Sequence, residues 1–305
     1  MSETPKNPKQ EGSNVCDAIP QVGPCIQGCN QCFYNRPNAF YTNISETLMP
    51  TLEEVGDKIV RVNSGNDSNY KRNYVIATTN HYLKKFFNTS IPELDFPDPV
   101  VFTANPKEEE WFYSPKDIRS GSINNLMFIR LRVSSSNLEL IDSAIEEWTQ
   151  GEFKIPIVLT FMRYYDEEPK NNNGQFEFKK HVLNSYWCPT KVFVKKVLKR
   201  YKNNELVTMC GTLKSPYCRD CGNCEKYYLE AKNKGSEKKN RLTAIGTVGS
   251  YIVYLNVEPR EALKRFHEEY PGSGFTERHI RTFEFDDKFQ AYEVGYLDTK
   301  ERDNK

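Results

Sequence analysis

The sequence predicts an α/β fold: parallel strands with helices outside them, curled toward a barrel, then a cysteine-rich metal-binding segment and a small α+β module. Three observations predict it. Short β-branched and aromatic runs alternate with longer amphipathic stretches from residue 20 to about 205, as strand–helix crossovers in a parallel sheet do. Two of those runs alternate arginines with apolar residues, which a parallel strand covered on both faces would not tolerate. Seven of the nine cysteines fall into two short-spaced clusters, the pattern of metal sites rather than of scattered buried thiols.

In chain order, residues 1–19 open with MSETPKNPKQEGSN, lack the apolar stretch of a secretory leader and read as a disordered tail. The barrel region is 20–205. Its strand candidates are KIVRVNSG (58–65), PVVFTANP (99–106), LMFIRLRVSS (126–135) and IPIVLTFMRYY (155–165), separated by PTLEEVGD (50–57), NYVIATTNHYLKKFFN (73–88) and SNLELIDSAIEEWTQG (136–151). In the last of these, Leu138, Ile141, Ile145 and Trp148 recur at helical spacing behind serines and an asparagine suited to capping. TKVFVKKVLKRY (190–201) keeps Val194, Val197, Leu198 and Tyr201 on one helix face, with its lysines on a solvated one. Period-two alternation sets Arg61, Arg130 and Arg132 opposite Val60, Val62, Leu131 and Val133. Facing inward, such arginines suit a lumen that holds a charged ligand; at a sheet edge they would be solvated. Residues 206–240 carry the second cysteine cluster and a charged linker, AKNKGSEKKNR (231–241). The module over 241–305 reads as strand, helix with Pro259 in its first turn, and hairpin.

The bulk properties narrow the function. A formal net charge of +1 argues against a general polyanion binder, and no run approaches the roughly 20 apolar residues of a membrane span. The chain is expected in the cytoplasm, where structural disulfides are disfavoured; Cys16 and Cys188, standing alone, read as small buried side chains. The first cluster, Cys25-x3-Cys29-x2-Cys32 in GPCIQGCNQCFY, supplies three thiolates. Structural zinc wants four ligands, so three leave it incomplete; a cubane held by three cysteines leaves one iron open. The second cluster, Cys210-x7-Cys218-x2-Cys221-x2-Cys224, can complete a site by itself, as a second [4Fe–4S] cluster or a zinc tetrathiolate.

The first spacing, in a loop after a short first strand and ahead of an alternating chain, resembles the signature of radical S-adenosylmethionine (SAM) enzymes over residues 20–205. The resemblance implies an incomplete (β/α)6, TIM-like barrel with a [4Fe–4S] cluster on Cys25, Cys29 and Cys32. SAM would chelate the open iron and be cleaved reductively to a 5′-deoxyadenosyl radical that takes hydrogen from a substrate. An electron donor such as flavodoxin or ferredoxin is implied too; the substrate is not. The family's aromatic residue before the third cysteine is Gln31 here, which leaves Tyr34 as the adenine contact. Ser64-Gly65-Asn66-Asp67 resembles the Gly-Gly-Glu turn that binds the SAM amino group, with one glycine missing and a shorter carboxylate, so either Asn66 or Asp67 would serve. Ser134 matches the ribose contact at a strand end, and Arg132 or Arg130 suits the SAM carboxylate. The four-cysteine segment is similar to the auxiliary-cluster extensions of some members. Thr160 and Tyr164 would line the cavity or pack the barrel core, and Asp166, Glu167 and Glu168 would sit near its mouth or form a solvated acidic loop.

The competing expectation is a zinc-binding module that docks nucleic acid or protein without catalysis, through the lysines of 191–202 and 232–241. Nucleic acid is not indicated, since no aromatic residues interleave those lysines as a base-stacking surface requires.

Overall fold

The computed structural model describes residues 7–29, 31–35, 45–107, 111–118, 123–150, 154–165, 167–180, 185–236, 240–247, 250–255, 257, 259–276, 279–285 and 291–296. The chain divides into two compact units, one of 1–119 with 125–231 and the other of 120–124 with 232–305.

The first unit is a mixed α/β structure built on a parallel sheet of seven strands, curled into a half-barrel. In chain order its described elements are β1 (Val15–Ala18), α1 (Leu52–Val55), β2 (Ile59–Val62), α2 (Arg72–Thr79), β3 (Lys85–Thr89), β4 (Val100–Thr103), β5 (Leu126–Val133), α3 (Leu138–Thr149), β6 (Ile157–Phe161), β7 (Phe176–Lys179), β8 (Tyr186–Pro189), α4 (Lys191–Arg200), β9 (Val207–Met209), α5 (Cys218–Cys221) and α6 (Asn223–Ser236). The sheet order is β1-β2-β3-β4-β5-β6-β9, every neighbouring pair parallel, while β7 and β8 form an antiparallel pair of their own. β1 and β9 are therefore the two free edges of the curl.

Register sorts the strand residues onto two faces. Outside, Phe102 meets Trp148 of α3 and Phe161 meets Phe193 of α4, with ring centroids 6.3 and 6.0 Å apart. The inner face carries Val15 and Asp17, Ile59 and Arg61, Phe86 and Asn88, Val101 and Thr103, Phe128, Arg130 and Arg132, and Val158 and Thr160 on successive strands. Its lower rows are apolar, because α6 lays Tyr227, Tyr228 and Ala231 against Val15, Ile59, Phe86, Val101, Phe128 and Val158. Buried area of this kind is the main stabilising term, about 25 cal/mol per Å² of apolar surface. The upper rows are polar. The alternation of arginines in the sequence is thus an inner-face signal.

Several expectations change. The disordered tail to residue 19 does not hold: β1 is an edge strand of the sheet, and its Asp17 is matched by Arg61 rather than left to solvent. The stretch 73–88, expected only as an amphipathic segment between strands, is α2 followed by β3, whose five residues are all buried. No alternation marks such a strand; Lys85 is tolerated because its Nζ meets Asp98 at 2.8 Å and the Tyr82 carbonyl at 3.1 Å. With β9 added, the barrel has seven strands rather than six. The four-cysteine segment belongs to this unit, and α6 runs well into the residues read as a linker. Asn137 does not cap α3 with its side chain but ties back to the end of β5, its Oδ1 accepting from Ser134 N and its Nδ2 donating to the Arg132 carbonyl.

The second unit is an antiparallel sheet of order β11-β10-β12-β13, from β10 (Asn240–Thr247), β11 (Ser250–Leu255), β12 (Ile280–Phe285) and β13 (Ala291–Tyr296), with α7 (Pro259–Glu269) between the hairpins. The run 242–257, expected as one strand, is a hairpin. Ile245, Val257, Ala262, Phe266 and Ile280 form its core.

Candidate metal centres on a curled parallel sheet

The first cysteine loop leaves β1 at its C-terminal end, where ligands bind in open parallel sheets. Its base is closed by Ile19 and Leu48, which exchange backbone hydrogen bonds of 2.7 and 2.9 Å. Gly28 and Gln31 both take positive φ, 54° and 56°, which turns the chain sharply between the cysteines. Gln31 has a further use, since its Oε1 accepts from Tyr165 N at 2.7 Å and ties the loop to the segment after β6. Cys25 and Cys32 pack on the cluster of Ile19, Tyr34 and Leu48. Burial pushes the Cys25 thiol up to about 12, and the nearby Asp67, Cys32 and Cys29 add to it.

Tyr34, the adenine contact expected from the sequence, packs inward. It is 1 % exposed, in the core beneath the loop. Its ring lies so close to Gly65 that a Cβ there would come within 2.2 Å of Tyr34 Cδ2, so only glycine lets the 64–67 turn approach the cysteine loop. Asp67 is likewise committed: Oδ1 accepts from Asn69 N and Thr89 Oγ1, and Oδ2 from Ser90 N and Ser90 Oγ, at 2.7–3.0 Å. Burial still raises its pKa. Of the two candidates in this turn, Asn66 is the one left with a donor to give. It lies against the Tyr34 hydroxyl, 8 % exposed, close enough to act on the phenol but with its Nδ2 outside normal hydrogen-bond geometry to any described residue. Ser134, just past β5, is fully buried, and its hydroxyl is shared with Ser136.

The upper inner face is a polar layer. Arg61 grips Asp17 with Nε at 2.7 Å and Nη2 at 3.1 Å. Arg130 donates to Asn88 Oδ1 at 3.2 Å. Burial pulls the Arg130 pKa down, Arg61 and Arg132 push the same way, and the Cys210 and Cys224 thiols oppose them; some of its surface nevertheless stays accessible. Arg132 reaches the C-terminal rim, donating to the Pro106 carbonyl and, from Nε, to Met162 Sδ at 3.1 Å. Buried polar atoms of Gln21 (Oε1), Asn63 (Oδ1), Asn66 (Nδ2) and Thr160 (Oγ1) have no hydrogen-bond partner among the described residues. All four residues sit at or just past the C-terminal ends of β1, β2 and β6, where a polar ligand would meet them. Gln21 and Asn63 escaped the sequence reading. Asn63, directly after a strand and before Ser-Gly, carried a signal; Gln21 carried none.

The second cysteine cluster lies between the free edges of the curl. Cys210 follows β9, and its N–H still bonds the Leu159 carbonyl at 2.8 Å. Cys218 and Cys221 occupy α5, Gly222 turns the chain at φ 62°, and Cys224 opens α6. Cys218, Cys221 and Cys224 line one cavity of about 110 Å³, whose opposite wall is Gly12, Ser13, Asn14 and Val15. Cys210 is exposed and outside that lining. Asn14 Nδ2 donates to Glu225 Oε1 at 2.8 Å and Arg219 Nη1 to the Glu11 carbonyl at 2.9 Å, fastening the segment before β1 to the cluster after β9.

Among the described residues no three His, Cys, Asp or Glu side chains are gathered as the ligands of one ion. A cubane asks for something wider, because each thiolate binds a different iron; in the second cluster three thiols, Cys218, Cys221 and Cys224, share one cavity and Cys210 lies outside it. Of the remaining candidates, Tyr164 lies beyond β6 and pairs with Trp187, Asp166 lies outside the described residues, and Glu167 and Glu168 are exposed. Cys188 is buried and Cys16 partly so. Among the described residues no helix is long and apolar enough to cross a membrane. No family model, curated protein or solved structure matches the chain.

Proposed function

We propose that the protein is a radical SAM enzyme. One observation carries the reading: three thiols, Cys25, Cys29 and Cys32, share one loop at the C-terminal end of the first strand of a curled parallel sheet, beside buried polar atoms that lack partners. When bound, a reduced [4Fe–4S] cluster with SAM supplies a 5′-deoxyadenosyl radical for hydrogen abstraction.

The chain's own residues do the rest. Cys25, Cys29 and Cys32 would hold three irons, losing their thiol protons as they bind. Gly65 lets the 64–67 backbone approach, and Asn66 Nδ2 is the donor for a carboxylate or carbonyl brought there. Arg132 at the rim offers a planar fork for a carboxylate. Thr160 Oγ1 and Asn63 Oδ1 orient polar groups deeper in the lumen, and α6 closes its floor to water. Cys218, Cys221 and Cys224, which share one cavity, would hold a second centre, [4Fe–4S] or zinc, with Cys210 nearby on the chain after β9.

The test is anaerobic reconstitution with iron and sulfide, then SAM and dithionite. The expected product is 5′-deoxyadenosine, abolished by alanine at Cys25, Cys29 or Cys32. Loaded, reduced protein that forms none above background with SAM would overturn the reading.

A further inference from the structure

Cys218, Cys221 and Cys224 face Gly12, Ser13 and Asn14 across a cavity of about 110 Å³. The opposite wall thus belongs to the polar stretch ahead of β1.

That stretch is fixed at both ends. Upstream, Asn7 Nδ2 and Gln10 Nε2 donate to the buried Asp17 carboxylate at 3.3 and 2.7 Å, and Arg61 holds the same carboxylate from the sheet. Downstream, the Asn14 carbonyl accepts from Ile59 N at 2.8 Å, on the rung before β1 and β2 pair. Between the anchors the chain turns tightly: Gln10 N bonds the Asn7 carbonyl and Ser13 N the Gln10 carbonyl, both at 2.9 Å. Gly12 takes φ 67° in this turn, a conformation that suits glycine. It also passes so near Arg219 that a Cβ would lie 3.1 Å from Cδ.

Across the cavity, the middle of the turn is held at the surface. Arg219 lies over the Tyr217 ring at 4.5 Å, and its Nη1 donates to the Glu11 carbonyl at 2.9 Å. Asn14 Nδ2 donates to Glu225 Oε1 at 2.8 Å. Glu11, Asn14 and Arg219 are all exposed, and links between exposed groups are individually weak. A short turn with firm ends and weak ties in the middle opens locally at far less cost than global unfolding.

We propose that residues 11–13 are a flap over the three-thiol cavity. Closed, it shields Cys218, Cys221 and Cys224 from solution; open, it admits whatever reacts with those thiols or binds to them. Cys210 is exposed and outside the cavity, so it is not under the flap. Access of this kind is independent of SAM cleavage and of what the thiols bind.

The experiment labels the full chain, reduced and metal-free, with N-ethylmaleimide at one fixed pH and follows each cysteine by peptide mass spectrometry. Cys210 should label fastest, with Cys218, Cys221 and Cys224 well behind it. Two variants loosen the flap without changing a charge. Asn14→Ala removes the link to Glu225, and Gly12→Ala strains the turn and sets a methyl against Arg219. Each should speed labelling of the three cavity thiols roughly fivefold, the effect of one lost surface hydrogen bond, and leave Cys210 and the buried Cys188 within about twofold. Cavity thiols that label as fast as Cys210 in the unaltered chain would mean that nothing shields them. Unchanged rates in both variants would mean that these contacts do not hold the turn closed. A matching rise at Cys188 would mean that the whole sheet has loosened. Any of the three overturns the flap. If Gly12→Ala does not fold, Asn14→Ala decides.

Discussion

At the residue scale, Gly65 and Cys25 show how closely the first loop is fitted to the sheet. An alanine at 65 would put its Cβ 2.2 Å from a ring carbon of Tyr34, itself wedged under Ile19 and Leu48. Gly65→Ala should cost about 1–3 kcal/mol, the usual range for overpacking, and the displaced turn should weaken iron loading; a melting temperature within error of wild type would show that Tyr34 can move aside. Cys25 makes a pH prediction. Its folded-state value of about 12 lies above the ordinary 9.0 because burial disfavours the thiolate. The folded chain therefore holds that proton more tightly than the unfolded one. This contribution to stability is complete below pH 9 and lost as pH climbs from 9 toward 12. Urea unfolding of metal-free protein at pH 8 and pH 11 should show the fall, and Cys25→Ala should shrink it. Legibility at this scale was uneven. The cysteine spacing was plain, while the burial of Tyr34 and the engagement of Asp67 were not, because sequence gives a residue's type and not its commitments, four hydrogen bonds in the case of Asp67.

At the element scale, sequence revealed β2, β4, β5 and β6: β2 and β5 through alternation, where one face is polar, and β4 and β6 through β-branched and aromatic runs. β3 was hidden because all five of its residues are buried and period two vanishes. β1 was hidden for the opposite reason: four residues, one of them an aspartate, in polar surroundings look like tail. That aspartate anchors it. The Asp17–Arg61 pair has side chains 2 % and 12 % exposed, so removing one partner strands the other. Asp17→Ala should cost about 3–5 kcal/mol, the range for breaking a buried pair. The Lys84–Asp57 pair, with side chains 53 % and 107 % exposed, should give less than about 1 kcal/mol when Lys84 is replaced. Equal costs in urea unfolding would mean that β1 is held by its backbone ladder alone.

At the scale of the whole molecule, the question is which part of the chain carries the chemistry. The inner-face core, Phe86, Phe128, Tyr227 and Tyr228 among it, and the core of Ile245, Val257, Ala262, Phe266 and Ile280 share no residue. All nine cysteines lie at or before position 224. The curled sheet, both cysteine clusters and the floor helix α6 are complete by Ser236. Burial of that core supplies the driving force for folding, so a chain ending at Ser236 should fold and load iron to the same number per chain as the full protein. Losing the second unit should not empty either cluster. The measurement is iron and sulfide per chain with melting of both forms, followed by 5′-deoxyadenosine formation. Intact loading with lost turnover would assign the second unit to substrate or electron-donor recognition. Lost loading in a chain that still melts cooperatively would mean that residues beyond 236 complete a metal site, and the division of labour drawn from the two cores would be wrong.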